Sequence, residues 1–308
     1  MVQKEVLSNC NIGPEDYVSL KSMGHIYEIC YIKKRNKTIT TQLIDKDHYM
    51  NLYTGEVFEC EHIVNRAESK FQVSQSLKRL RDYINTNVTD TDNCKWVTLT
   101  YKENMQDTRK LYNDFKNFIR RLKADYGHFE YIVAMEPQAR GAWHAHCIII
   151  FDTKAPFISN AKIQDYWKQG FTKTTKLDNI DNVGAYLTAY LGDMELNKEN
   201  INELKAKGLN VSKMAVKGVT DINNMKLKEP KSFIKGGRLY MYPPNFNLYR
   251  ISRGIKKPVK EYYSYHVAKE KIGLVEPTYS KGILIRDFDN LFENEIIYEY
   301  YNTKRSKK

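Results

Sequence analysis

YIVAMEPQARGAWHAHCIIIF, residues 131–151, decides the fold of this chain. Two apolar runs, 131–136 and 142–151, flank a short polar turn around Ala139, Arg140 and Gly141. That is the pattern of a β-hairpin with a loop of about three to five residues. Side chains alternate faces along a strand, so His144 and His146 point the same way. With the turn centred on Arg140, Glu136 stands directly opposite His144, with Cβ atoms about 5 Å apart. His146 is its diagonal neighbour at about 7–8 Å, and Ala134, opposite His146, is small enough to leave room for an ion. Two imidazoles and one carboxylate leave coordination positions open, which suits a catalytic divalent ion better than a closed structural one. The competing reading is a pair of ordinary strand histidines. Burying them unpaired beside an apolar run would cost about 1–3 kcal/mol each, and a metal removes that cost.

Around this hairpin the chain is 308 residues long and basic, with 49 Lys plus Arg against 37 Asp plus Glu and a formal charge of +12. Such an excess favours a polyanion partner, nucleic acid first. The 23 tyrosines include rings of the kind that stack on unpaired bases, although most belong to strands and core. Five widely spaced cysteines without a Cys-x-x-Cys pair indicate neither a disulfide framework nor a zinc ribbon. The opening residues lack an apolar signal core, and no apolar run approaches the length of a membrane span. The expectation is a cytoplasmic protein in a reducing cell, with no membrane partner.

Outward from the hairpin, residues 25–32, 38–44 and 57–63 read as short strands, and residues 69–86 as a helix with Val73, Leu77, Leu80 and Ile84 on one stripe. WVTLTY, residues 96–101, alternates as a strand. Asp107 caps a long helix that ends at Gly127. Residues 160–169 read as a helix and 171–177 as a strand. In NVGAYLTAYLGD, residues 182–193, Asn182 is the N-cap and Gly192 the stop, with Val183, Leu187 and Leu191 facing inward. Tyr186 and Tyr190, four apart, share a face beside that stripe. Residues 195–235 are polar and lysine-rich, read as helix plus loop or as an ordered insertion. Beyond them Arg238, Arg250, Arg253, Lys256 and Lys257 interleave with aromatic residues, a mixture suited to single-stranded or hairpin DNA. Arg120 and Arg121 add to the basic face of the long helix. No Walker A pattern is present.

Three of these stretches, in this order, resemble the HUH endonucleases, the rolling-circle replication initiators of bacterial plasmids and phages. WVTLTY is similar to their first motif, WHAHCIIIF to the His-hydrophobic-His motif, and AYLTAYL to the helix bearing the nucleophilic tyrosine. The resemblance covers residues 93–195 and implies an α+β fold in which a ferredoxin- or RRM-like antiparallel sheet has helices packed on one face. It implies a nicking-joining domain over residues 91–260, with an N-terminal β-rich extension and helix before it and a C-terminal tail over 261–308. It further implies that Tyr186 and Tyr190 are the catalytic pair of the two-tyrosine type, that Glu136, His144 and His146 hold Mg²⁺ or Mn²⁺, and that the chain nicks and rejoins single-stranded origin DNA through a 5′-phosphotyrosine. Many relatives carry a lysine three or four residues after the tyrosine, where this chain has Ala189 and Tyr190, so which tyrosine attacks first stays open. Without a helicase motif, a host helicase and a host DNA polymerase are the expected partners. A relaxase, a single-strand transposase and a non-catalytic DNA-binding protein on the same fold are the alternatives.

Overall fold

The computed structural model of the protein describes residues 2–7, 10–35, 38–177, 182–188, 191–222, 225–287 and 292–305. The N-terminal stretch supplies strands β1 (Val2–Leu7), β2 (Tyr17–Met23), β3 (Ile26–Ile32), β4 (Thr41–Leu43), β5 (His48–Asn51) and β6 (Val57–Glu59). Helix α1 (Lys70–Asn87), β7 (Cys94–Thr100), α2 (Thr108–Tyr126), β8 (Glu130–Pro137), β9 (Trp143–Ile150), α3 (Asn160–Trp167) and β10 (Thr172–Thr175) follow. Next come α4 (Val183–Thr188), β11 (Met194–Glu195), α5 (Lys198–Ala206), β12 (Val216–Ile222), β13 (Met225–Ile234) and β14 (Tyr249–Ile251). The chain closes with β15 (Val259–Ser264), α6 (Tyr265–Ile272), β16 (Tyr279–Asp287) and β17 (Glu293–Asn302).

Residues 64–257 form one compact unit, built on a five-stranded antiparallel sheet in the order β10-β7-β9-β8-β14. Alternation along its strands makes two faces. Val97, Leu99, Val133, Met135, Ala145 and Cys147 lie in one large buried cluster with Leu111, Phe115, Phe118 and Leu122 of α2 and with Ile163 and Trp167 of α3. Helix α2 forms where the sequence places it. The Asp107 carboxylate accepts from the N–H groups of Arg109 and Lys110, and Gly127, at φ +73°, ends the helix.

The opposite face is not left bare. Trp96, Ile132, Ala134 and Ile148 on it are buried with Leu80 and Ile84 of α1 and Val183 of α4. This corrects the expectation of helices on one face only. That face carries large apolar side chains beside its histidines, and leaving them in water would forfeit about 25 cal/mol per Å² of area. Of the two readings of residues 195–235, the structure shows the ordered insertion. Strands β11, β13 and β12 form a small antiparallel sheet, and Met194, Leu204, Met214 and Ile234 make a separate core.

Residues 1–63 and 258–308 form the other unit. Its six-stranded sheet runs β1-β16-β17-β3-β2-β15, with Val18, Leu20, Ile29 and Ile297 buried against Ala268 and Ile272 of α6. Strands β4, β5 and β6 make a small sheet of their own. The unit boundaries therefore differ from those read in the sequence. Helix α1 belongs with the central sheet that its stripe covers. Residues 261–308 are no tail, because β17 pairs with both β16 and β3 at the centre of a sheet.

Candidate metal centre and tyrosine helix

The β8–β9 hairpin holds Glu136 opposite His144 and Ala134 opposite His146. Its turn is closed by the Gly141 N–H donating to the Gln138 carbonyl and the Gln138 N–H donating to the Ala142 carbonyl, both at 2.8 Å. Gly141 adopts φ +89°, a conformation open to glycine at no steric cost. Arg140 ties the turn to the end of β7 by donating to the carbonyls of Tyr101 (2.6 Å) and Lys102 (3.2 Å). Turn and pleat thus fix the register on which the convergence of the three side chains depends.

At the centre, the Oε1 atom of Glu136 lies 2.8 Å from His144 Nε2 and 3.2 Å from His146 Nε2. One donor atom from each of the three residues falls within a 4.8 Å group. The other carboxylate oxygen, Oε2, accepts from the Gly192 backbone N–H (3.0 Å) and from Arg238 Nη2 (3.2 Å). Arg238 also donates to the carbonyls of Pro137 (2.8 Å) and Asp193, so its guanidinium is fixed in place. Thr98, opposite His146 on β7, places Oγ1 3.3 Å from His146 Nδ1. When a cation is bound, Nδ1–H donating to that hydroxyl would leave the Nε2 lone pair for it; otherwise Nε2 bonds to Glu136.

Burial alone would raise the Glu136 pKa. The Arg238 guanidinium and the hydrogen bonds from the two histidines outweigh it and hold the carboxyl well below the ordinary carboxylate range. Burial lowers the pKa of His144, more than its bond to Glu136 raises it. An ionised carboxylate and a neutral imidazole are the protonation states that divalent-metal binding requires. Cis ligands at about 2.1 Å from an octahedral ion sit about 3 Å apart, close to the separations of Oε1 from the two imidazole nitrogens. The donor set could hold a divalent metal ion, and Arg238, Gly192 and Thr98 contact it from outside.

Arg238→Met is expected to weaken Mn²⁺ binding by about 10–100-fold, the usual cost of losing an outer-shell partner. The same variant changes acid stability. A carboxyl whose folded pKa is depressed contributes stability above its ordinary pKa, near 4.5, and loses it as pH falls through the lower folded value. Without the guanidinium the folded pKa of Glu136 rises, so the loss begins at higher pH. Urea midpoints of the metal-free chain from pH 7 to pH 3 check this, and superimposable profiles for variant and wild type would contradict it.

Helix α4 is secured at both ends of its segment. The Asn182 side chain caps Ala185 N–H (2.8 Å), and Asn85 Oδ1 of α1 accepts from Gly184 N–H (2.9 Å). At the far end Gly192, at φ +79°, gives its N–H to Glu136 and its carbonyl to Arg238 N–H (2.9 Å). The segment bearing the tyrosines is thereby bonded to a candidate metal ligand. Tyr190 and the side chain of Tyr186 lie outside the described residues; the backbone at position 186 is helical.

Gly184 is the point of closest approach to α1. A Cβ there would stand 2.5 Å from Asn85 Oδ1 and 2.6 Å from the Arg81 carbonyl. Gly184→Ala should cost about 1–3 kcal/mol as an overpacking change, lowering Tm by about 3–10 °C. Circular dichroism melts check it, and an unchanged Tm would contradict the tight α1–α4 seat.

The basic residues expected to meet DNA divide between the two faces. Ile255 is buried on the histidine face, flanked by the exposed Arg253, Lys256 and Lys257, and Asn87 of α1 pins Lys256 through its N–H (2.8 Å) and carbonyl (2.9 Å). Arg120 is exposed on α2, on the other face, where Arg121 donates to the Tyr166 carbonyl (2.8 Å). Arg250 is exposed with its guanidinium 3.5 Å from the centre of the Tyr112 ring. Arg238 is turned onto Glu136. Thr98 was visible in the sequence as a polar residue on the partly polar side of its strand. Arg238 had no local signal, since it reaches Glu136 across 102 positions.

The model of a family described as replication-associated protein matches residues 94–195. The span runs from β7 to β11 and contains Glu136, His144, His146, Tyr186 and Tyr190. Asn85 and Arg238 come from outside it. The match points to a role in replication initiation. No curated protein and no solved structure matches the chain.

Proposed function

We propose that this chain initiates rolling-circle replication by nicking and rejoining single-stranded origin DNA, with Glu136, His144 and His146 holding Mg²⁺ or Mn²⁺ and Tyr186 and Tyr190 as nucleophiles, in the manner of a two-tyrosine HUH endonuclease. The observation that carries the reading is the double use of Glu136. One oxygen faces both imidazoles, while the other holds Gly192, two residues beyond Tyr190. On this reading, the nucleophile segment and the cation site share one carboxylate.

Glu136, His144 and His146 would hold a divalent ion, which would supply polarisation of the scissile phosphate and stabilisation of the charge that gathers on it in the transition state. The chain supplies the rest. A tyrosine oxygen forms a bond to phosphorus as the bond from phosphorus to the 3′-oxygen breaks. The phenolic proton is released to solvent, and the departing 3′-oxygen takes one up to become a hydroxyl. That hydroxyl primes a polymerase, and the phosphotyrosine retains the ester for a later 3′-OH to displace. Arg238 offsets the negative charge of Glu136 from the side away from the histidines. Arg253, Lys256 and Lys257 border the same sheet face and supply cations for the strand's phosphates. A host helicase opens the duplex, because paired geometry hides the phosphate from in-line attack.

The test is the fate of both ends of the cut. A labelled single strand from the replicon's own origin, incubated with Mn²⁺, should yield a 3′-OH end that a polymerase extends and a 5′ end resistant to phosphatase and attached to protein. EDTA should abolish both. A free 5′-phosphate would assign the cleavage to water and remove the tyrosines from the mechanism.

A further inference from the structure

The six-stranded sheet of the unit formed by residues 1–63 and 258–308 packs α6 against one face; on the other, Ser19, Glu28 and Cys30 are buried in the middle and larger rings stand exposed around them. Val18, Leu20, Ile29 and Ile297 face that helix. The strand register assigns the other face. Tyr262 lies opposite Ser19, which is opposite Cys30, then Tyr298, then Lys281. The neighbouring row runs Lys260, Lys21, Glu28, Tyr300 and Tyr279. Tyr17, two positions along β2 from Ser19, belongs to the same face.

This surface carries exposed rings. Tyr17 is 60 %, Tyr262 43 % and Tyr279 54 % exposed. Soluble sheets rarely turn large rings to water without a use, because the area could be buried or replaced by polar residues. The rings come with cations. The Arg35 guanidinium lies 5.0 Å and Lys260 Nζ 5.3 Å from the centre of the Tyr262 ring, which stacks on Tyr17 at 5.8 Å and 10°. Glu28, the acid in these rows, is neutralised by Lys21 at 3.2 Å. A face of net positive charge with exposed rings complements a polyanion whose own rings are unpaired.

We propose that this sheet face is a second binding surface for single-stranded nucleic acid, with bases stacking on Tyr17, Tyr262 and Tyr279 and phosphates meeting Arg35, Lys260 and Lys281. It lies in the unit that does not carry the candidate metal centre. Tyr262 and Tyr279 are separated by four strand spacings, about 19 Å, so the surface reads several nucleotides at two stacking points. A platform of this kind is tolerant of sequence, since every base offers a π-face. The choice of DNA over RNA rests on the function proposed above; the stacking surface does not.

The test uses the full chain in EDTA, so that no strand is cut, and a fluorescent 20-nucleotide oligothymidylate read by anisotropy. Tyr262→Ala should weaken binding about fivefold or more and Tyr262→Phe should restore it, as expected for loss and return of a stacking ring. Lys260→Ala should lower the slope of log affinity against log salt by about 0.7, one phosphate's worth for a single strand. A strand carrying 5-bromouracil should photocrosslink to peptides containing Tyr262 or Tyr17. The proposal is overturned if a folded Tyr262→Ala, Tyr279→Ala double variant binds as wild type, or if crosslinks fall solely within residues 64–257. A chain that binds through these rings yet never nicks supports the surface and refutes the nuclease reading, so the two fail separately.

Discussion

Alanine at His144 or His146 will reduce strand cleavage by about a thousandfold, the scale of losing a cation worth several kcal/mol in the transition state. Single-strand affinity should stay within a few-fold of wild type, because the proposed function rests binding on lysine and arginine contacts to phosphate rather than on the imidazoles. Each histidine reaches Glu136 Oε1, and each sits beside well-buried neighbours, so the fold survives the truncation. The expected signature is a normal melt, a normal salt-dependent Kd and no nick. Parallel loss of binding and cleavage in a folded variant would mean that these histidines form part of a DNA contact and not a cation site.

The second large effect belongs to the tyrosines. Tyr186→Phe and Tyr190→Phe each remove a hydroxyl and nothing else, and Val183, Leu187 and Leu191 keep the segment seated on the sheet. One variant should lose the initial nick. The other should form the covalent species but stall at rejoining, which a gel of adduct against closed product separates. The double variant should form no adduct at all. If either single variant completes the full cycle, one tyrosine serves both transfers and the other is a packed ring.

The hairpin at the heart of the site is legible in the sequence because its determinants are local. Period-two alternation, a glycine turn and an eight-residue spacing place Glu136 against His144 without reference to any other part of the chain. Helix α2 is legible for the same reason, with Asp107 and Gly127 marking its ends. What is not legible is long-range. Arg238 arrives at Glu136 through a loop that follows the β12–β13 hairpin, and composition alone assigned it with the other cations to DNA. Helix α1 shows its apolar stripe but not which sheet face it will cover. The last strand, β17, reads as an acidic stretch because Glu293, Glu295 and Glu299 outweigh the alternating Ile297 and Tyr301 that pair it into a sheet. Gly192 reads as a helix stop, which it is, while its N–H bond to Glu136 depends on the tertiary fold. The tyrosine side chains are legible only as a motif, since the structure describes neither.

The central claim is that one carboxylate joins a cation site to a nucleophilic helix, and peptide mapping of the adduct tests it most directly. The full chain is incubated with Mn²⁺ and a 3′-labelled single strand from its origin, digested, and the DNA-linked peptide sequenced by mass spectrometry. The account predicts the nucleotide on Tyr186 or Tyr190, in a peptide spanning residues 182–192, with the signal lost in EDTA and in His144→Ala. Adduct formation at wild-type levels in the Tyr186→Phe, Tyr190→Phe double variant, or a label on any other residue, would contradict it.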